Sequence, residues 1–236
     1  RKTLRQPMKP GRLVPPHTRR SNHTTMTVRN RNNIGLLALA GVLTACNSTT
    51  PVKEAEPATT LTSIVMPDPF GFTITEETQI DGAVRADYER ALSLLDEGEV
   101  DDAIALLKTV AEAAPGLSAP HIDLAIAYHR LDDLEAAEAH LDQALEINPD
   151  HPMALNELGI VYRKTARFYE ARRSYEAAIN VYPNYHYARR NLGVLCDLYL
   201  DDLDCAIENY EAYMATVDND DEAEGWLRNA RFRAGQ

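Results

Sequence analysis

Chemistry in this chain of 236 residues would have to come from three cysteines, seven histidines and one dense run of cations. Cys46 closes an apolar run and offers a thiol. Cys196 and Cys205 could form a disulfide or stay as two thiols. The histidines are scattered. His121, His129, His140 and His151 are spread along successive stretches, without the His-Glu-x-x-His spacing that sets two imidazoles on one helix face around zinc. Arg163, Lys164, Arg167, Arg172, Arg173, Arg189 and Arg190 crowd into one short stretch of the chain. Such a cluster can bind carboxylates, or simply balance neighbouring acids such as Glu170 and Glu176. No Ser, Cys or Asp stands in a nucleophile setting, and no glycine-rich loop could cradle a phosphate. The chain reads as non-enzymatic, with no catalytic residue, no metal ligand set and no cofactor.

The elements that would position these groups announce themselves by a repeat. Pro115, Pro149 and Pro183 are evenly spaced, and the chain between them repeats in phase. Units begin at Val84, Ser118, Pro152 and His186. The third carries Leu155, Leu158, Gly159, Tyr162, Ala171, Tyr175, Ala178 and Pro183; the second carries Leu124, Ala125, Tyr128, Ala137, Leu141, Ala144 and Pro149 on the same grid. Small residues let two helices approach, large ones fill the gaps beside them, and proline ends the second helix because it lacks an N–H and clashes with the preceding turn. These residues resemble the tetratricopeptide repeat, a helix–turn–helix unit that stacks into a solenoid and binds other proteins.

The resemblance implies an all-α fold: a right-handed superhelical solenoid of about four helix pairs (84–117, 118–151, 152–185 and 186–219) with a capping helix at 221–234, the whole spanning 76–234. In the fourth unit one extra residue in the turn moves Ala206, Tyr210 and Tyr213 one place late. Thr75 followed by Glu76 and Glu77 suggests an N-cap, with the first helix starting near Glu76. Trp226, Leu227, Ala230 and Phe232 form a helical stripe that could cover the open end.

The N-terminal third reads as an address. Residues 34–45 are an apolar run behind Arg29 and Arg31, too short to span a bilayer. The run ends in Leu43-Thr44-Ala45-Cys46, which resembles the bacterial lipobox. That resemblance implies a signal peptide at 26–45, lipidation of Cys46 and, with Asn47 following, retention at the outer membrane facing the periplasm. Residues 1–25, basic and ahead of Met26, are expected to lie outside the mature protein. Residues 46–75, rich in Thr and Pro, read as a disordered lipid-anchored tether. Nine of the 24 Lys and Arg precede Cys46 and no acid does, leaving 15 cations against 36 anions, a net charge of −21. Such a chain would repel a phosphate backbone, so no nucleic acid is expected, and membrane contact is expected through the lipid alone.

In the repeat that this sequence resembles, the first helix of each pair lines the concave face. Carried over by position, Ile126, Met153, Asn156, Ile160, Arg163, Lys164, Tyr187, Arg190, Asn191 and Val194 are the expected partner-binding groove. Cys196 and Cys205 then face each other across the fourth turn, and an oxidising compartment favours their disulfide. The expected function is a scaffold that binds and positions other envelope proteins or their peptide segments, acidic ones included. Two alternatives stay open: a pilotin-like factor for a type IV pilus secretin, and a self-associating homo-oligomeric component of an envelope complex.

Overall fold

The computed structural model describes residues 24–28, 64–67, 72–76 and 80–236. Three short strands come first: β1 (Thr24–Val28), β2 (Ile64–Pro67) and β3 (Phe72–Glu76), with β3 central, parallel to β1 and antiparallel to β2. The rest is helical: α1 (Gly82–Glu97), α2 (Val100–Ala113), α3 (Ala119–Arg130), α4 (Leu134–Ile147), α5 (Pro152–Lys164), α6 (Phe168–Val181), α7 (His186–Leu195), α8 (Leu203–Met214) and α9 (Asp221–Ala234). Four antiparallel pairs, α1–α2 to α7–α8, stack in sequence order, and α9 follows. Thr75 and Glu76 belong to β3, so they do not start the first helix. The cap is Asp81, whose Oδ1 accepts from the Ala83 N–H at 2.7 Å. The β-branched run Thr73-Ile74-Thr75 favours an extended chain over a first helical turn.

Each pair is held by one small residue facing one large one. A Cβ added to Gly159 would lie 2.6 Å from Tyr175 Cδ1, and one added to Gly193 would lie 2.7 Å from Tyr210 Cδ1. Both tyrosines are buried. In the first two units the large residue is Leu107 or Leu141, and alanine (Ala91, Ala125) suffices opposite it. The match is one of volume: a bulkier ring on α6 and α8 demands the loss of a methyl group on α5 and α7.

The turns inside the pairs share a geometry. Gly98, Asp132, Ala166 and Asp201 all adopt positive φ, at 86°, 61°, 60° and 54°. In the first three units the next N–H returns to a carbonyl five residues back: Glu99 to Leu94, Asp133 to Tyr128, and Arg167 to Tyr162. In the fourth, Asp202 bonds to Cys196, six back. The extra residue is absorbed as one π-helical turn, Cys196–Leu200, at the end of α7. The chain then resumes the grid, so Tyr210 still meets Gly193.

α9 is more than a lid. Ala223 and Ala230 are fully buried, as are Ala188 and Leu195 at the matching places of α7. It therefore occupies the place of a first helix in a fifth unit. Phe232 departs from the expected stripe: it is 81% exposed, because it lies on the side of α9 turned away from α8.

The volume match fixes a prediction. Gly159→Ala gains about 1 kcal/mol of helix propensity but loses about 1–3 kcal/mol by driving a methyl group into a buried ring. The expected net effect in urea unfolding is destabilisation. Gly225→Ala, with open space around its Cβ, is expected to stabilise α9 slightly.

Candidate protein-binding groove

The first helices of successive units, α1, α3, α5 and α7, stand side by side and are tied to one another across the repeat. The Tyr88 hydroxyl donates to Asp123 Oδ2 at 2.5 Å, Asn191 Nδ2 to Asn156 Oδ1 at 2.9 Å, and Arg130 Nη1 to the Leu95 carbonyl at 2.8 Å. Beyond α7 the same contacts reach α9: the Arg190 guanidinium lies 5.0 Å over the Trp226 ring, and Arg233 pairs with buried Asp197. These ties link α1 to α3, α5 to α7 and α7 to α9.

Between α3 and α5 the matching place is apolar. Ile122 sits where Tyr88 and Asn156 sit in their own units and offers no polar side-chain atom. Glu157 accepts from Asn156 Nδ2 at 3.2 Å. Desolvation pushes its carboxyl up to about 7, and the Asn156 hydrogen bond opposes that rise.

The basic cluster is largely spent inside the molecule. Lys164 pairs with Asp132 at 3.2 Å, Arg172 with Glu176 at 2.8 Å and Asp202 at 3.0 Å, and Arg190 with Glu222 at 3.9 Å. Arg167 grips both oxygens of Glu138, at 2.7 and 2.9 Å, and stacks on Tyr162. Arg189 bonds to the Pro183 carbonyl and Asn209. Arg163 turns toward Tyr175 and Tyr199, with its Nε and the Tyr175 hydroxyl buried short of hydrogen-bond geometry. Burial works against its charge, and the two tyrosines more than offset that effect. Most of these pairs are exposed and individually worth no more than about 1 kcal/mol. Together they leave the groove little free charge for an acidic peptide, because the carboxylates of adjacent turns are closer than any ligand's. Asn191 also donates to Asn156, which holds α7 to α5.

Between these paired groups the wall also presents apolar side chains. Ile126, Ile160 and Val194 recur at the repeat period on α3, α5 and α7, each half-buried, and Leu92 on α1 takes the corresponding place. Met153 and Tyr187 flank them, also half-buried. Leu92 is absent from the groove expected above, which was carried over onto the second, third and fourth units alone. Counting back one repeat from Ile126 would have found it.

Cys196 and Cys205 are joined by a disulfide, Sγ–Sγ 2.07 Å and Cα–Cα 5.9 Å, which clamps the π-helical turn to α8. Asp202 sits beside the two sulfurs and caps α8 through the Cys205 N–H. Cys46 lies outside the described residues. Among the described residues no helix is long and apolar enough to cross a membrane.

Four stacked helix pairs with a ribbed inner wall define a helical-repeat solenoid. Residues 94–156 and 140–173 match models of the tetratricopeptide repeat, so the chain carries tetratricopeptide repeats. Over 85 residues it is 32% identical to Anaphase-promoting complex subunit CDC16 of Saccharomyces cerevisiae, a stretch covering 36% of this chain and 10% of that protein. The chain thus matches only about a tenth of that relative's length. Among solved structures it resembles MamA from Desulfovibrio magneticus RS-1, with a TM-score of 0.57 and 22% identity over 65% of this chain and 86% of that one. It also resembles pilF of Pseudomonas aeruginosa, with a TM-score of 0.59 and 21% identity over 64% of this chain and 69% of that one. These likenesses establish the fold.

The Glu157 carboxyl generates a pH prediction. A carboxyl raised from 4.5 to about 7 in the folded state stabilises the fold below pH 4.5, and this contribution is lost as pH rises through 7. Glu157→Gln is expected to be more stable than wild type at neutral pH and equal to it near pH 4. The measurement is the difference in urea midpoints across that range; a difference independent of pH would show that Glu157 titrates normally.

Proposed function

We propose that this protein is a non-catalytic adaptor of a bacterial cell envelope. In this reading the helical wall binds and positions another envelope protein, and Cys46 carries the lipid that holds the adaptor at the outer membrane, facing the periplasm. One observation carries the binding role: the half-buried stripe of Leu92, Ile126, Ile160 and Val194, with one apolar side chain from each first helix. A regular stripe left partly uncovered between satisfied polar ties suits a partner segment that contributes apolar side chains. The charge pairing argues against acidity as the main recognition element.

The envelope location rests on other features. The tetrapeptide Leu43–Cys46 behind a short apolar run fits lipid attachment, and the Cys196–Cys205 disulfide suits an oxidising compartment. The likeness to a subunit of the anaphase-promoting complex fits an assembly role.

Two experiments test the two halves of this reading. In crosslinked envelopes, wild-type protein is expected to capture a partner that Ile126→Glu plus Ile160→Glu loses while keeping its helical circular dichroism. Retention of that partner would move the site off this wall, and recovery of nothing but the protein's own copies would favour self-association. For the anchor, Cys46→Ala is expected to abolish incorporation of labelled palmitate and release the protein into the soluble periplasmic fraction. Unchanged labelling would remove the lipid from the reading.

A further inference from the structure

We propose that His121, His140 and Gln143 form a transition-metal site that staples the first helix of the second unit to its second helix. His121 stands on α3 and His140 on α4, and the turn between the helices brings their Nδ1 atoms to 3.4 Å. Two imidazole nitrogens bound to one tetrahedral zinc, each at about 2.0–2.1 Å, lie about 3.3–3.4 Å apart. The pair is thus already at the bite distance of a single ion. Gln143 Oε1 lies 3.0 Å from His140 Nδ1, one turn further along α4, and supplies a third donor atom on the same side.

The surroundings hold this geometry. Tyr128 stacks on His140 with ring centroids 5.5 Å apart and planes 9° from parallel, which fixes the plane of the imidazole. Both histidines are half-buried, leaving room for water as a fourth ligand. Desolvation is the largest influence on each and lowers both pKa values. At His121 the neighbouring His140 adds to that lowering, while Gln143 opposes it at both rings. The lowering favours the uncharged imidazole, the form that ligates a metal. Two imidazoles and an amide oxygen suit zinc, copper(II) or nickel, and not magnesium or calcium, which prefer carboxylates.

One neighbour works against the ion. Lys108 Nζ lies 5.6 Å from the Tyr128 ring centre, and its charge lowers the pKa of His140. The same repulsion acts on a bound cation, so removing Lys108 should tighten the site. Sequence spacing alone hides the arrangement, since so wide a separation across a helical turn matches no linear metal motif.

The test uses the full chain, free of any affinity tag and with its disulfide intact, titrated calorimetrically with Zn²⁺ and, separately, with Cu²⁺. Binding of one ion per chain is expected. Its affinity should fall in His121→Ala and in His140→Ala by at least the roughly tenfold that loss of even a supporting residue costs a metal site. Lys108→Ala should raise it. The Cu²⁺ complex should show two coordinated imidazoles by electron paramagnetic resonance. Should either alanine variant lose its helical circular dichroism, His121→Gln and His140→Gln take its place. Absence of saturable binding in wild type, unchanged affinity in the double histidine variant, or a spectrum with fewer than two imidazoles would each overturn the site.

Discussion

The close approach of two helix backbones within each unit is the constraint on which the rest of the structure depends. It is set by volume. Tyr175 and Tyr210 can lie across α5 and α7 only because Gly159 and Gly193 carry no Cβ, and the smaller Leu107 and Leu141 tolerate alanine opposite them. Fixing that distance fixes the angle at which each second helix leaves its first, and so where the next unit begins. The wall of first helices inherits its regularity from this packing. The hydrogen bonds between units follow from it, because they can recur only if successive first helices are presented in the same register.

The fourth unit shows how strictly this register is kept. It carries one residue more than its predecessors, and an extra residue in a helix would rotate everything downstream by about 100°. The chain instead confines the surplus to the π-helical turn Cys196–Leu200, which closes on Cys196 six residues back instead of five. The disulfide to Cys205 sits at this irregularity and clamps it to α8. Beyond it Tyr210 still finds Gly193, and α9 still takes the place of a first helix, with Arg190 and Arg233 continuing the contacts between units.

Electrostatics divides the molecule differently from what charge density suggests. A dense run of cations in an acidic chain looks like a docking patch. In the folded protein, Asp132, Glu138, Glu176, Asp202 and Glu222 from neighbouring turns and helices meet most of it. The carboxylates are already at contact distance, and a ligand would have to displace them. Between these paired groups the inner wall also presents apolar side chains, arranged at the repeat period.

The sequence by itself determined the class of fold, the helix pairs and the phase of the repeat, because small, large and helix-breaking residues at fixed intervals report packing that is local within each unit. It also marked the misfit residue of the fourth turn and the two cysteines beside it. The start of α1 was not legible: Thr75 and Asp81 are both good capping residues, and strand pairing of β3 with β2 takes the first of them. Tertiary structure alone decided the rest. Whether Arg163 and Arg190 face a ligand or a neighbour depends on side chains from other helices, distant in sequence. Which polar atoms are paired across units, as in Asn156 with Asn191, depends on the helix that stacks alongside. The meeting of His121 with His140 belongs to this second kind, since two residues on opposite arms of a helical hairpin become neighbours only when the hairpin closes.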